Sequence, residues 1–182
     1  MFALIALLYS LLYQCLVARL RPDYAWQSNS LSELGEKGSR YERWVAWGYF
    51  MPTALVLAIG VAGAYQREIL NTAQAFYLSF LPLAYAVSAL FPCDPGAPIS
   101  GSLRNSVHML FGAAEYLLVP IGVYLSTWAG LNLSGPLAVF ILAVFIWAAL
   151  LLMLLPILAP WKGVIQRLAE CTLFVAVAYV TW

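Results

Sequence analysis

The chain has 182 residues, 64% of them hydrophobic and 9% charged, with a mean hydropathy of +0.85 and a net charge of +1. A soluble domain carries roughly a quarter charged residues, so this composition excludes the soluble globular classes and points to several bilayer spans of about 20 apolar residues each. The near-zero net charge offers no electrostatic footing for nucleic acid.

The first expected span is Phe2–Leu20. No basic stretch leads it and no A-x-A-like site precedes Arg19, so it reads as a retained span rather than a cleaved signal peptide. A hydrophilic loop, about Arg21–Arg43, follows and contains Asn29-Ser30-Leu31-Ser32-Glu33-Leu34-Gly35. Ser30-x-x-Glu33 has capping-box spacing, in which a serine oxygen and a carboxylate each take a free backbone N–H. Gly35 would end that turn.

The second span is Trp44–Tyr65, where Gly60 and Ala64 form a small-xxx-small pair that lets helices approach closely. The third is Ala73–Phe91. It leads into Phe91-Pro92-Cys93-Asp94-Pro95-Gly96, a turn with aspartate in a favoured position. The fourth is Ser106–Trp128, the fifth Pro136–Leu158 and the sixth Gly163–Trp182. The runs are too long for strands and lack two-residue alternation, and a helix alone satisfies its backbone groups within one segment. The expected fold is an all-α polytopic bundle of six transmembrane helices, a single domain over 1–182. Pro52, Pro82, Pro120 and Pro156 fall inside apolar runs, where membrane helices accept them as kinks.

Trp26, Trp44, Trp47, Trp128, Trp161 and Trp182 lie near span ends, the depth that amphipathic rings prefer, and Trp147 is the exception. Arg19, Arg21, Lys37, Arg40, Arg43, Arg104, Lys162 and Arg167 follow spans one, three and five, whereas the other side holds Arg67 alone. The positive-inside rule places the former loops in the cytoplasm, for a multi-pass protein of the inner (plasma) membrane. Cys15, Cys93 and Cys171 are too widely spaced for a disulfide framework or a zinc motif. Cys15 and Cys171 read as packing filler, and the Asn132-Leu133-Ser134 glycosylation triplet reads as chance.

Three polar clusters share one side of the membrane: residues 29–35, Cys93-Asp94, and Arg104, Asn105 and His108 at the start of span four. Asn105, His108, Gly112 and Glu115 fall within about 80° of one another on a helix, with His108 and Glu115 roughly 10 Å apart along its axis. A carboxyl as deep as Glu115 needs a partner or a proton. Arg104, Arg167 or a tyrosine could supply one. Glu170, one turn after Gln166, is a second buried acid with Arg167 close in sequence. His108 is the only histidine, which rules out bis-histidine haem ligation within the chain and a three-histidine zinc site.

Asn29–Gly35, Phe91-Pro92-Cys93-Asp94-Pro95 and the later His108 resemble a family of six-span prokaryotic membrane proteins, domain of unknown function 998. That family is similar in turn to eukaryotic GPI-remodelling and autophagy-modulator membrane proteins. Its Ser-Glu-Leu-Gly, Phe-Pro-x-Asp and glycine-then-histidine signatures fall on Ser32–Gly35, Phe91–Asp94, and Gly101 with His108. The resemblance covers essentially the whole chain. It supplies no activity, and implies only that Glu33, Asp94 and His108 belong together. Relatives with a basic N-terminus imply the opposite orientation; this chain lacks one.

Three functional readings stay open. In the first, Glu33, Asp94 and His108 converge around a lipid headgroup, which Ser30, Ser32, Arg104, Asn105 and Glu115 help bind, or around a divalent cation that Cys93 could join. In the second, an intramembrane lipid-modifying enzyme uses His108 as base, Asp94 to orient it, and Ser30, Ser32 or a water activated by Glu33 as nucleophile. In the third, the chain is an accessory subunit of a larger membrane complex. The expected partner is membrane lipid, with self-association or a larger complex left open. The cofactor, if any, is undetermined. A transporter reading lacks an internal repeat.

Overall fold

The computed structural model describes residues 1–128 and 134–182, apart from the side chains of 128, 134–136, 138 and 139. The Asn132-Leu133-Ser134 triplet and the Trp128 ring therefore lie outside the described residues. The described chain is helical: α1 (Phe2–Leu20), α2 (Glu42–Gln66), α3 (Thr72–Leu90), α4 (Leu103–Trp128), α5 (Ser134–Met153) and α6 (Lys162–Val180). Five helices among the described residues are long and apolar enough to cross a membrane, with a shorter apolar one at Phe140–Met153. The architecture is the expected all-α polytopic bundle. Each helix packs on the next in chain order, α6 closes on α1, and α4 also meets α6 across the interior.

Prolines shape several helices through the hydrogen bonds they cannot make. Pro82 cannot donate to the carbonyl of Leu78, and α3 breaks at Ser79 between Leu78 and Phe80. Pro52 cannot donate to Gly48, and a π turn spans Ala46–Phe50; the freed Gly48 carbonyl takes the Tyr9 hydroxyl instead. The expected fifth span to Leu158 needs correction. Pro156 ends the helix rather than kinking it, because the residue before proline is driven out of the α region. Leu155 is extended (φ −82°, ψ 120°) and a 3-10 turn, Pro156–Trp161, leads into α6.

Close packing of α1 on α2 uses Gly60 of the expected small pair. A Cβ at Gly60 would sit 2.9 Å from the Cβ of Phe2, and Ala64 is fully buried. In the core, Tyr49, Phe50, Tyr85 and Phe174 form a run of ring contacts with centroids 4.8–6.0 Å apart. Trp26, Trp44, Trp47 and Trp161 are exposed near the motif-bearing end and Trp182 at the other.

Candidate functional site at the motif face

The loop after α1 builds itself around Glu33. Ser30 and Glu33 form the expected reciprocal cap: the Glu33 N–H donates to Ser30 Oγ at 3.3 Å and the Ser30 N–H to Glu33 Oε1 at 3.0 Å. The same carboxylate takes the Ser30 hydroxyl at 2.9 Å, the Asn29 amide, and Lys162 Nζ from the start of α6 at 2.6 Å. Burial alone would raise the Glu33 carboxyl, but Lys162, Asn29 and the Ser30 N–H outweigh it and hold it below the usual carboxylate range.

Two arginines hold this loop from either side. Buried Arg21 donates to the carbonyls of Glu33 (2.7 Å) and Leu34 (3.1 Å) and pairs with Asp23 (2.6 Å) and Glu36 (3.3 Å). Arg167 of α6 donates to the carbonyls of Trp26 (2.8 Å) and Asn29 (3.1 Å) and to the Tyr24 hydroxyl. Gln166 Oε1 accepts the Leu31 N–H at 2.8 Å. At Gly163 a Cβ would collide with the carbonyl oxygens of Asn29 and Trp26, so only glycine lets the loop lie this close to α6.

The second cluster is tied to the first by backbone: Lys37 N–H donates to Cys93 O at 2.8 Å, and Gly96 N–H to Glu36 Oε2 at 2.8 Å. Asp94 accepts the N–H (2.7 Å) and hydroxyl (2.8 Å) of Ser102, whose oxygen takes the Asn105 N–H (3.3 Å) at the start of α4. Those Ser102 donors hold the Asp94 carboxyl below its usual range. The buried Asn105 amide accepts from Asp94 N–H (3.0 Å) and donates to Pro98 O (2.7 Å).

His108 joins the third cluster to the first. Its Nδ1 lies 2.9 Å from the Phe91 carbonyl and its Nε2 2.7 Å from Ser32 Oγ. A carbonyl only accepts, so Nδ1 carries the proton, and the neutral ring accepts the Ser32 hydroxyl at Nε2. The expected orienting role of Asp94 is therefore corrected. The Phe91 backbone orients His108, because the Asp94 carboxylate is committed to Ser102.

The three clusters meet at one end of the bundle, but Glu33, Asp94 and His108 do not share a centre. Among the described residues, no group of three or more His, Cys, Asp or Glu side chains comes together as a metal site. Cys93, the suggested fourth ligand, is fully buried, and burial pushes its thiol up to about 12.

Arg104 lies apart from the Ser32–His108 pair, on a groove of about 530 Å³ between α2, α3 and α4, with Glu42, Arg43, Trp47, Leu90, Phe91 and Leu103 among its walls. Among the described residues neither arginine makes an ion pair.

The family described as Protein of unknown function (DUF998) matches residues 4–182. The chain belongs to the DUF998 family. No curated protein and no solved structure matches it significantly.

In this DUF998 chain the deeper acids pair with each other rather than with arginine. Glu115 (α4) and Glu170 (α6) are buried beside each other. Glu170 accepts the hydroxyls of Tyr116 (2.7 Å) and Tyr85 (2.9 Å). Arg167, the expected partner, is turned outward to the loop carbonyls. Sequence reasoning also missed the Lys162–Glu33 pair and the structural use of Arg21. In the linear sequence Lys162 and Arg21 register only as topological charges. The Arg21-x-Asp23 spacing was a signal for the second; nothing local announced the first.

Proposed function

We propose that this membrane protein binds the anionic headgroup of a lipid at the motif face, with Arg43 and Arg104 holding its phosphate or carboxylate. What supports this is the groove they line. Two arginines that make no ion pair among the described residues face one recess with Trp47, Leu90, Phe91 and Leu103 among its other walls, and the Glu42 carboxylate on the same lining is engaged by the Gly38 N–H. Exposed Trp44 and Trp47 sit beside it, at the depth where aromatic rings meet headgroups, and guanidinium forks suit such anions. The groove then serves the headgroup at its charged end and an acyl chain along its apolar walls. The Lys/Arg bias supports a cytoplasmic orientation for this face. Native mass spectrometry of delipidated protein, offered phosphatidylglycerol or phosphatidylcholine, tests the reading. The expected result is at least a tenfold preference for the anionic lipid (about 1.4 kcal/mol), lost in Arg43→Gln/Arg104→Gln. Equal retention of both lipids by the unmodified protein would sink it.

The Ser32–His108 hydrogen bond favours a second reading, a lipid ester hydrolase. Ser32 Oγ would attack the ester carbonyl as His108 Nε2 takes its proton. That proton then passes to the leaving alcohol, and water releases the acyl group from Ser32. A fluorophosphonate probe should label Ser32, and His108→Gln should suppress the labelling. An unlabelled Ser32 in folded protein would count against this chemistry while leaving the lipid site untouched.

A further inference from the structure

The acids at the centre of the bundle carry a conclusion independent of the motif face. Glu115 and Glu170 come from α4 and α6 and are each about 5% exposed. Glu170 spends both oxygens on tyrosine donors, Tyr116 at 2.7 Å and Tyr85 at 2.9 Å. Among the described residues Glu115 Oε2 has no hydrogen-bond partner, and its carboxyl meets that of Glu170. Two ionised carboxylates offer each other no hydrogen. A contact between them requires a proton on one of the two, and the acid that no donor reaches at Oε2 is the natural carrier.

Among the described residues no cation pairs with either acid. Among the described residues, the titratable groups beside the pair are Tyr85 from α3, Tyr116 from α4 and the Cys171 thiol of α6. Behind Tyr85 stands Tyr49 of α2, its ring centroid 6.0 Å away and its hydroxyl hydrogen-bonded to Ser10 (2.9 Å) and Gln14 (3.0 Å) of α1. None of these is a cation. Arg167, one turn from Glu170, donates to Trp26, Asn29 and Gly163 carbonyls; Lys162 is engaged by Glu33; and His108 is engaged by Phe91 and Ser32.

We propose that Glu115 and Glu170 form a proton-binding site, one proton held between an acid at Glu115 and a carboxylate at Glu170. The site clamps α4 to α6. Tyr85, which donates to Glu170, packs edge-on against Tyr49, whose hydroxyl is bonded to Ser10 and Gln14 on the α1 side of the bundle. Release of the proton would leave two like charges in contact without a counter-ion, so occupancy and the α4–α6 contact are one equilibrium.

Two measurements on the full chain in lipid nanodiscs test this. Dicyclohexylcarbodiimide adds to protonated carboxyls in apolar surroundings. Mass spectrometry should find its adduct on Glu115 or Glu170 of the unmodified protein, in a yield that falls as pH rises. Infrared spectroscopy should show a protonated-acid carbonyl band that disappears in Glu115→Gln, where an amide N–H replaces the acid's donor, and persists in Glu170→Gln. Absence of both adduct and band in the unmodified protein overturns the proposal without reliance on any variant's folding. So does a band unchanged by Glu115→Gln in a variant that retains its helix content.

Discussion

Ser32 and His108, 76 positions apart in sequence, are joined by a 2.7 Å hydrogen bond between a hydroxyl and a ring nitrogen. The bond fastens the loop after α1 to the first turns of α4. The Phe91 carbonyl on the opposite ring nitrogen fixes which nitrogen carries the proton.

Ser32→Ala should therefore leave a buried nitrogen without its donor. The expected loss is about 1–3 kcal/mol of stability, the usual cost of an unsatisfied buried acceptor. Denaturant unfolding in detergent measures it. Nitrogen NMR of His108 should still show a protonated Nδ1 in the variant, since the Phe91 carbonyl remains. A stability change below about 0.5 kcal/mol would show that water replaces the hydroxyl freely.

Glu33 makes a prediction about pH. Its folded carboxyl is held below the ordinary value by Lys162, Asn29 and Ser30. The unfolded chain then binds more protons in that window. The stabilising contribution is complete above the ordinary glutamate value, about 4.3, and is lost as pH falls through the lower folded value. Lys162→Met should shift this acid transition upward and cost about 1–3 kcal/mol at neutral pH, less than a fully buried pair because Lys162 is partly open to solvent. Hydrogen exchange at the Leu31 and Glu33 amides against pH follows it.

Gly163 and Gly112 should respond oppositely to alanine. At Gly163 the added carbon meets two backbone oxygens that cannot swing aside, so Gly163→Ala should cost about 1–3 kcal/mol and loosen the 26–29 loop. At Gly112, within α4, the same carbon meets nothing within 4 Å. Gly112→Ala should be neutral or stabilise by about 0.5–1 kcal/mol through helix propensity. Thermal unfolding of the two variants side by side decides the matter.

Cys93 should resist alkylation. Its thiol is fully buried and pushed up to about 12, so little thiolate exists at neutral pH. Iodoacetamide should leave Cys93 unmodified in the folded protein and modify it after denaturation. Rapid labelling in the folded state would contradict the closed packing of the Cys93-Asp94 turn.

Much of the fold was legible because span length and apolar composition are properties of single segments. Phe2–Leu20 was readable to the residue, and the Ser30/Glu33 cap was readable because both partners lie within one turn. What was not legible depends on distant pairings. Lys162 and Glu33 meet only because α6 closes against α1. Glu115 finds Glu170 rather than an arginine because Arg167 is drawn to carbonyls of the first loop. Asp94 looked like a histidine partner in the linear sequence, but its nearest donors, on Ser102, lie just before α4. Pro156 looked like a kink, yet with the 3-10 turn after it the backbone takes a corner there.

The missing amide at Pro52 has a consequence for the N-terminal helix. The Gly48 carbonyl that it releases is taken by Tyr9, four positions before Tyr13, whose hydroxyl meets the Trp44 carbonyl at 2.7 Å. Together they act as two rungs between α1 and the start of α2. Sliding α1 by one turn would break both at once, so a gap in one helix's ladder sets the vertical alignment of its neighbour.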